Sequence, residues 1–107
     1  MQLKVAEDAI AWLLRSWTGA VDWDQHNLAK LSKHGFSRVE VEEVLSLDFA
    51  FAGEVVGNFE ERRFVLLGKL SDGRHMTIAW AMRGAKLRPI SCRRSRDAEK
   101  RQFERSK

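Results

Sequence analysis

The chain has 107 residues, enough for one domain, and its 44% hydrophobic content, including four Trp and six Phe, suffices for a core. Its net charge of +4 is unevenly spread: residues 83–107 carry ten Lys/Arg against three acids and residues 1–82 nine against twelve, so a part of about −3 is followed by one of about +7. These features argue against a bilayer span, which needs roughly 20 apolar residues, against a leader peptide, because Glu7 and Asp8 interrupt the N-terminal apolar pattern, and against an internal disulfide or cysteine metal cluster, because Cys92 is alone. A cytoplasmic protein is expected, with a basic C-terminal face suited to a polyanionic or acidic partner.

In chain order, Leu3, Ala6, Ile10, Leu13, Leu14 and Trp17 recur at three- and four-residue spacing and predict an amphipathic N-terminal helix, ended by Gly19. The stretch AVDW (20–23) reads as a short strand. Asp24 is a good N-cap for a helix over 25–33, with Leu28 and Leu31 inward. Gly35 fits the position just past that helix, where a left-handed backbone brings no Cβ clash. Ser37 with Glu40 forms a capping box and Phe36 with Val41 a hydrophobic staple, so a second helix begins at once and turns Val41, Val44 and Leu45 inward.

After Leu47 the apolar period changes from helical to alternating. FAFAGEVV (49–56), RRFVLLGKL (62–70) and HMTIAWAM (75–82) read as strands, and Asp72-Gly73 marks a hairpin between the last two. A turn at RGAK leads to LRPISC (87–92), where Pro89 lacks a ladder donor and implies an edge or an irregularity. Ser95 is expected to cap a last helix, RDAEKRQFERS (96–106). Helices on one face of a three- or four-stranded antiparallel meander make an α+β fold, with residues 1–20 as an N-terminal helical extension and 21–107 as the main domain.

Chemistry-bearing residues gather at three places. Lys33 and His34 close the second helix; His34 is either a side chain capping the helix C-terminus or a proton-transfer group whose charged form the dipole favours. Glu60, Glu61, Arg62 and Arg63 open the first long strand, as a charged strand entrance or as a carboxylate base beside a charge-stabilising Arg. Arg93 and Arg94 leave the last strand in opposite directions next to a helix N-terminus, where guanidinium forks suit phosphate. His26 and His75 read as solvated. The His spacing is no metal signature, and there is no phosphate-binding P-loop, nucleotide-binding glycine fingerprint or nucleophile elbow.

WDQHNLAKLSKHGFSRVEVEEVL (23–45), ERRFVLLGKLSDGRHMTIAWAMR (61–83) and RPISCRRSRDAEKRQF (88–103), in this order, resemble the BrnT family, small RelE-like ribonuclease toxins of type II toxin–antitoxin pairs. The carriers are Trp23-Asp24, Lys33-His34-Gly35, Glu42-Glu43-Val44, Arg62-Arg63, Gly68, and Ile90, Ser91, Arg93 and Arg94 ahead of Glu99. The resemblance covers residues 21–105. It implies a RelE-like fold and a metal-independent RNA endonuclease without cofactor that inhibits translation. It also implies a BrnA-like antitoxin partner, through which alone operator DNA is contacted. For that reaction the candidate catalytic residues are Lys33, His34, Glu61, Arg63 and Arg93, and the candidate RNA- or phosphate-binding residues are Arg62, Arg94, Arg96 and Arg101. The family's late Tyr is Phe103 here and the chain has no Tyr, so no step uses a Tyr hydroxyl. The alternative is a binding module without catalysis. Convergence of His34, Arg63 and Arg93 on one cleft would favour the enzyme, and dispersal the module.

Overall fold

A computed structural model describes residues 2–107. It shows β1 (Leu3–Lys4), α1 (Glu7–Ala11) running into π-helical turns (Trp12–Ser16), α2 (Gln25–Lys33), α3 (Arg38–Ser46), β2 (Phe49–Val55), β3 (Phe64–Lys69), β4 (His75–Arg83), β5 (Lys86–Arg94) and α4 (Asp97–Arg105). The strands form one antiparallel sheet in sequence order, the α+β meander expected, with β1 as a fifth, two-residue strand beyond the three or four foreseen.

The helices lie on both faces of the sheet rather than on one. Phe64, Leu66, Met76, Ile78, Trp80, Leu87 and Cys92 pack with Leu31 of α2 and Val41, Val44 and Leu45 of α3, whereas Val65 and Leu67 pack with Phe103 of α4. The physical reason lies in β3 itself, FVLL, a continuous apolar run that only burial on both faces satisfies. Gly68 follows it because Val44 presses on that point. A Cβ there would overlap Val44 Cγ1, so Gly68→Ala should cost about 1–3 kcal/mol, read as a lowered denaturation midpoint with unchanged slope.

The turns follow their local chemistry. The β3–β4 hairpin closes with Leu70 N–H donating to Arg74 O at 2.8 Å and Gly73 at φ +96°. Asp24 and Ser37 both form capping boxes, with Asn27 and Glu40 as the reciprocal partners. Gly35 adopts φ +76°, the left-handed turn that lets α3 start at once. Pro89 is accommodated on both grounds anticipated, since β5 is an edge strand and its ladder slips between Ala79 and Trp80.

Four local expectations are corrected. Leu28, expected inward on α2, is 37% exposed, and Asn27 is buried with Leu31 instead. Leu3 is in a strand rather than a helix, and Leu14 is 78% exposed. The π-helical turns, closed by Trp17 N–H to Trp12 O at 2.9 Å, shift the inward face to Ala9, Leu13 and Trp12. Trp12 stacks on Trp80 at 5.8 Å between centroids. AVDW makes only a single parallel bridge, Val21 to Leu87, which covers part of the β5 edge. Arg96, not Ser95, is the N-cap of α4: Glu99 accepts the Arg96 N–H at 2.8 Å while the Ser95 hydroxyl turns inward to Thr77.

A cationic cleft as the candidate active site

Where α2 starts beside the β5 edge, a cleft of about 170 Å³ is lined by His26, Asn27, Lys30, Glu61, Arg63, Arg83, Arg88, Pro89 and Ile90. Asn27 builds it. This buried side chain donates from Nδ2 to Asp22 O at 2.8 Å and Pro89 O at 3.1 Å, tying the first turn of α2 to β5. His26 and Lys30, four residues apart on one side of that helix, are thereby held over the cleft.

Four cations meet one lining carboxylate. Arg88, with its side chain only 15% exposed, is fixed by Asp24 at 2.7 Å and Asp22 at 3.6 Å. The Asn27 N–H first, and then Arg88, hold the Asp24 carboxyl below the usual range. Arg83 reaches Glu61 at 3.6 Å and Asp22 at 4.0 Å, both loose and exposed contacts. Arg63 differs from these. It joins none of the ion pairs among the described residues, its Nε is buried without a hydrogen-bond partner, and its guanidinium lies over the Phe59 ring at 4.7 Å from the centroid. An Arg so placed keeps all its charge for whatever enters the cleft.

The structure brings Glu61 and Arg63 together and places the other sequence candidates elsewhere. Lys33 and His34 are exposed at the far end of α2 and do not line the cleft. Arg62, the neighbour of Arg63, faces the opposite edge of the sheet. There Glu54 accepts from it at 2.8 and 2.9 Å and Asp8 at 2.6 and 3.1 Å, which clamps α1 to β2. Arg93 makes a bidentate pair with Glu99 at 2.7 and 2.8 Å on the α4 face. Arg96 lies along the same face, and Arg101 is exposed on α4. Arg94 lines a separate hollow of about 370 Å³ with Arg74, His75 and Lys100. So His34, Arg63 and Arg93 do not converge.

His75 is not the solvated residue expected: its side chain is 11% exposed and packs edge-on against Phe103, and burial lowers its pKa. Cys92 is sealed in the core, its thiol pushed up to about 12 by that burial. The charge division is also softer in three dimensions than along the chain. Asp22, Asp24, Asp48 and Glu61 from the acidic part pair with Arg83, Arg88 and Lys107 of the basic part.

Asn27, Lys30, Arg83 and Arg88 join the site without having been singled out from the sequence. Signals existed: Asn27 stands at the third helical position after the Asp24 cap, and Arg88 begins the RPIS motif. A cleft of this composition favours negative charge on a phosphate and offers a carboxylate and an imidazole for proton transfer.

Among known proteins, no curated protein and no solved structure matches the chain. Residues 23–99 match the family described as ribonuclease toxin, BrnT, of type II toxin–antitoxin system. The matched stretch runs from the residue before the α2 cap to Glu99 and contains every residue that lines the cleft. The chain therefore belongs to the BrnT family of ribonuclease toxins.

Proposed function

We propose that the chain is an RNA endonuclease toxin whose reaction centre is the cleft of Arg63, Arg83 and Arg88, and that cleavage is metal-independent. The observation that carries this is the unpaired Arg63 guanidinium facing a cleft shared with three further cations, one carboxylate and one imidazole. In support, the cleft's own four cations can meet the charge that builds on a phosphate.

The chemistry assigns each group a task. Glu61 takes the proton of a ribose 2′-OH, and the oxygen attacks the adjacent phosphorus. Arg63, with Arg83 and Arg88, neutralises the charge that builds on the non-bridging oxygens, and His26 protonates the departing 5′-oxygen. The products are a 2′,3′-cyclic phosphate and a 5′-hydroxyl. Unstacked RNA is the substrate, since protein readout favours single strands.

In the cell this activity would inhibit translation in the cytoplasm. A BrnA-like antitoxin would neutralise it, and operator DNA would be met only through that antitoxin. An acidic antitoxin segment is suited to compete with RNA for the same cations. Lys33, His34, Arg62, Arg93, Arg94, Arg96 and Arg101 lie outside the cleft, where exposed cations among them serve as wider phosphate or antitoxin contacts.

A labelled RNA incubated with and without chelator provides the test. Equal cleavage with cyclic-phosphate ends is expected; loss in chelator, restored by a divalent ion, would refute metal independence. A second reading, a binding module without catalysis, draws support from the separation of His34 and Arg93 from Arg63 and from the carboxylates already on Arg83 and Arg88. Salt-sensitive RNA binding without cleavage would establish it.

A further inference from the structure

Phe59 is the only exposed Phe or Trp side chain among the described residues, at 42%. Scattered exposed apolar residues are ordinary, but the surroundings of this one are not. It belongs to the loop joining β2 to β3, four residues before Arg63, whose guanidinium covers it at 4.7 Å. Gly57 lies against the ring edge, and a Cβ there would overlap Cε2 and Cζ. With Arg63 over one face and Gly57 close by, the ring still leaves part of its surface open to solvent. The loop thus presents an apolar surface beside the cleft and adjoins the one lining Arg that has no ionic partner among the described residues.

The geometry points to a nucleobase subsite: the open part of the Phe59 ring is a stacking platform for an unpaired base of the RNA whose phosphate Arg63 holds. This rests on the proposal that the cleft binds RNA. Arg63 then acts in two directions, its guanidinium resting over the ring and its terminal N–H groups meeting the phosphate. A base and its own phosphate are separated by one ribose, so neighbouring platform and cation suit a single nucleotide. Every base has a π-face, so the subsite takes any base and contributes affinity rather than sequence readout. The side chains agree, because the ring offers no hydrogen-bonding group and Gly57 has no side chain to add one.

The test uses the full chain and two non-cleavable oligonucleotides of equal length, a 2′-deoxy strand with bases and the same strand made abasic, bound in fluorescence anisotropy. Wild type should prefer the base-bearing strand by about 10-fold, as a single stacked base does. Phe59→Ala should abolish that preference and leave the abasic affinity unchanged; Phe59→Trp should keep it, and thermal melting verifies folding. A preference that survives Phe59→Ala overturns the platform. Equal loss on both strands also overturns it, since Phe59 would then only prop Arg63. Weaker antitoxin binding by Phe59→Ala with the base preference intact would assign the ring to a protein partner instead. Should Arg63→Ala bind both strands as tightly as wild type, the placement of RNA in the cleft fails, whatever Phe59 does.

Discussion

Arg63→Ala should lower kcat/KM for RNA cleavage by about 10²–10³-fold, the cost of removing one preorganised donor from a site where charge develops, and should leave thermal stability nearly unchanged. These two expectations have separate grounds. Among the described residues the side chain makes no ion pair and its Nε has no partner, so truncation orphans no other buried group there, which is the usual source of a large stability loss. The same absence of a counter-ion means that its charge is not already spent within the protein. Arg62 is the matched control. Its guanidinium is taken by Glu54 and Asp8, and those contacts hold its proton more tightly than usual. Arg62→Ala should therefore weaken the attachment of α1 and leave the turnover of folded protein intact. Initial rates on a short RNA, paired with melting curves for both variants, check the contrast. A slow Arg62→Ala enzyme beside a fully active Arg63→Ala enzyme would move the centre away from the cleft.

Adjacent in sequence and both basic, Arg62 and Arg63 show where sequence reading ran out. Alternation predicts that they diverge, but which one meets carboxylates depends on Asp8, 54 residues away in the chain, and long-range pairing leaves no local signature. Features governed by neighbours within four residues were legible: the Asp24 and Ser37 caps, the turn at Gly35 and the Asp72-Gly73 hairpin. β1 was not, since two residues carry no period and gain strand status only by pairing with Glu54 and Val55. The placement of α4 was half legible, because FVLL announces burial on both faces without naming what covers the second. Within the site, Glu61 and Arg63 were foreseen as charged residues at a strand entrance. Arg83 and Arg88 were counted only as part of a basic tail, because the ladder that brings Arg88 beside α2 slips at Pro89, and no periodicity passes through a bulge.

The same long-range logic predicts a pH effect at the junction of α4 and the sheet. Glu99 accepts from Arg93 in a bidentate pair, from the Arg96 N–H and from the Thr77 hydroxyl. These bonds, Arg93 foremost, hold its carboxyl at about 2 against an ordinary value of 4.5. A carboxylate whose folded pKa is depressed stabilises the fold above its unfolded pKa and loses that contribution as pH falls through the folded one. The window therefore runs from about pH 5 down to about 2, and the size is about 3 kcal/mol. Other carboxylates, Asp8 and Glu54 among them, are also depressed, so total acid loss in the wild type does not isolate Glu99. The difference from Glu99→Gln does. At pH 7 that variant should be less stable by about 3 kcal/mol, because Arg93 is left without its counter-charge in a site where Glu99 is only 18% exposed. The gap should narrow through the window and close below about pH 2, where the wild-type carboxyl itself becomes neutral. Urea unfolding of both proteins at stepped pH measures it. A gap constant with pH would mean that Glu99 holds α4 by packing alone, and that Arg93 carries its charge free of the sheet.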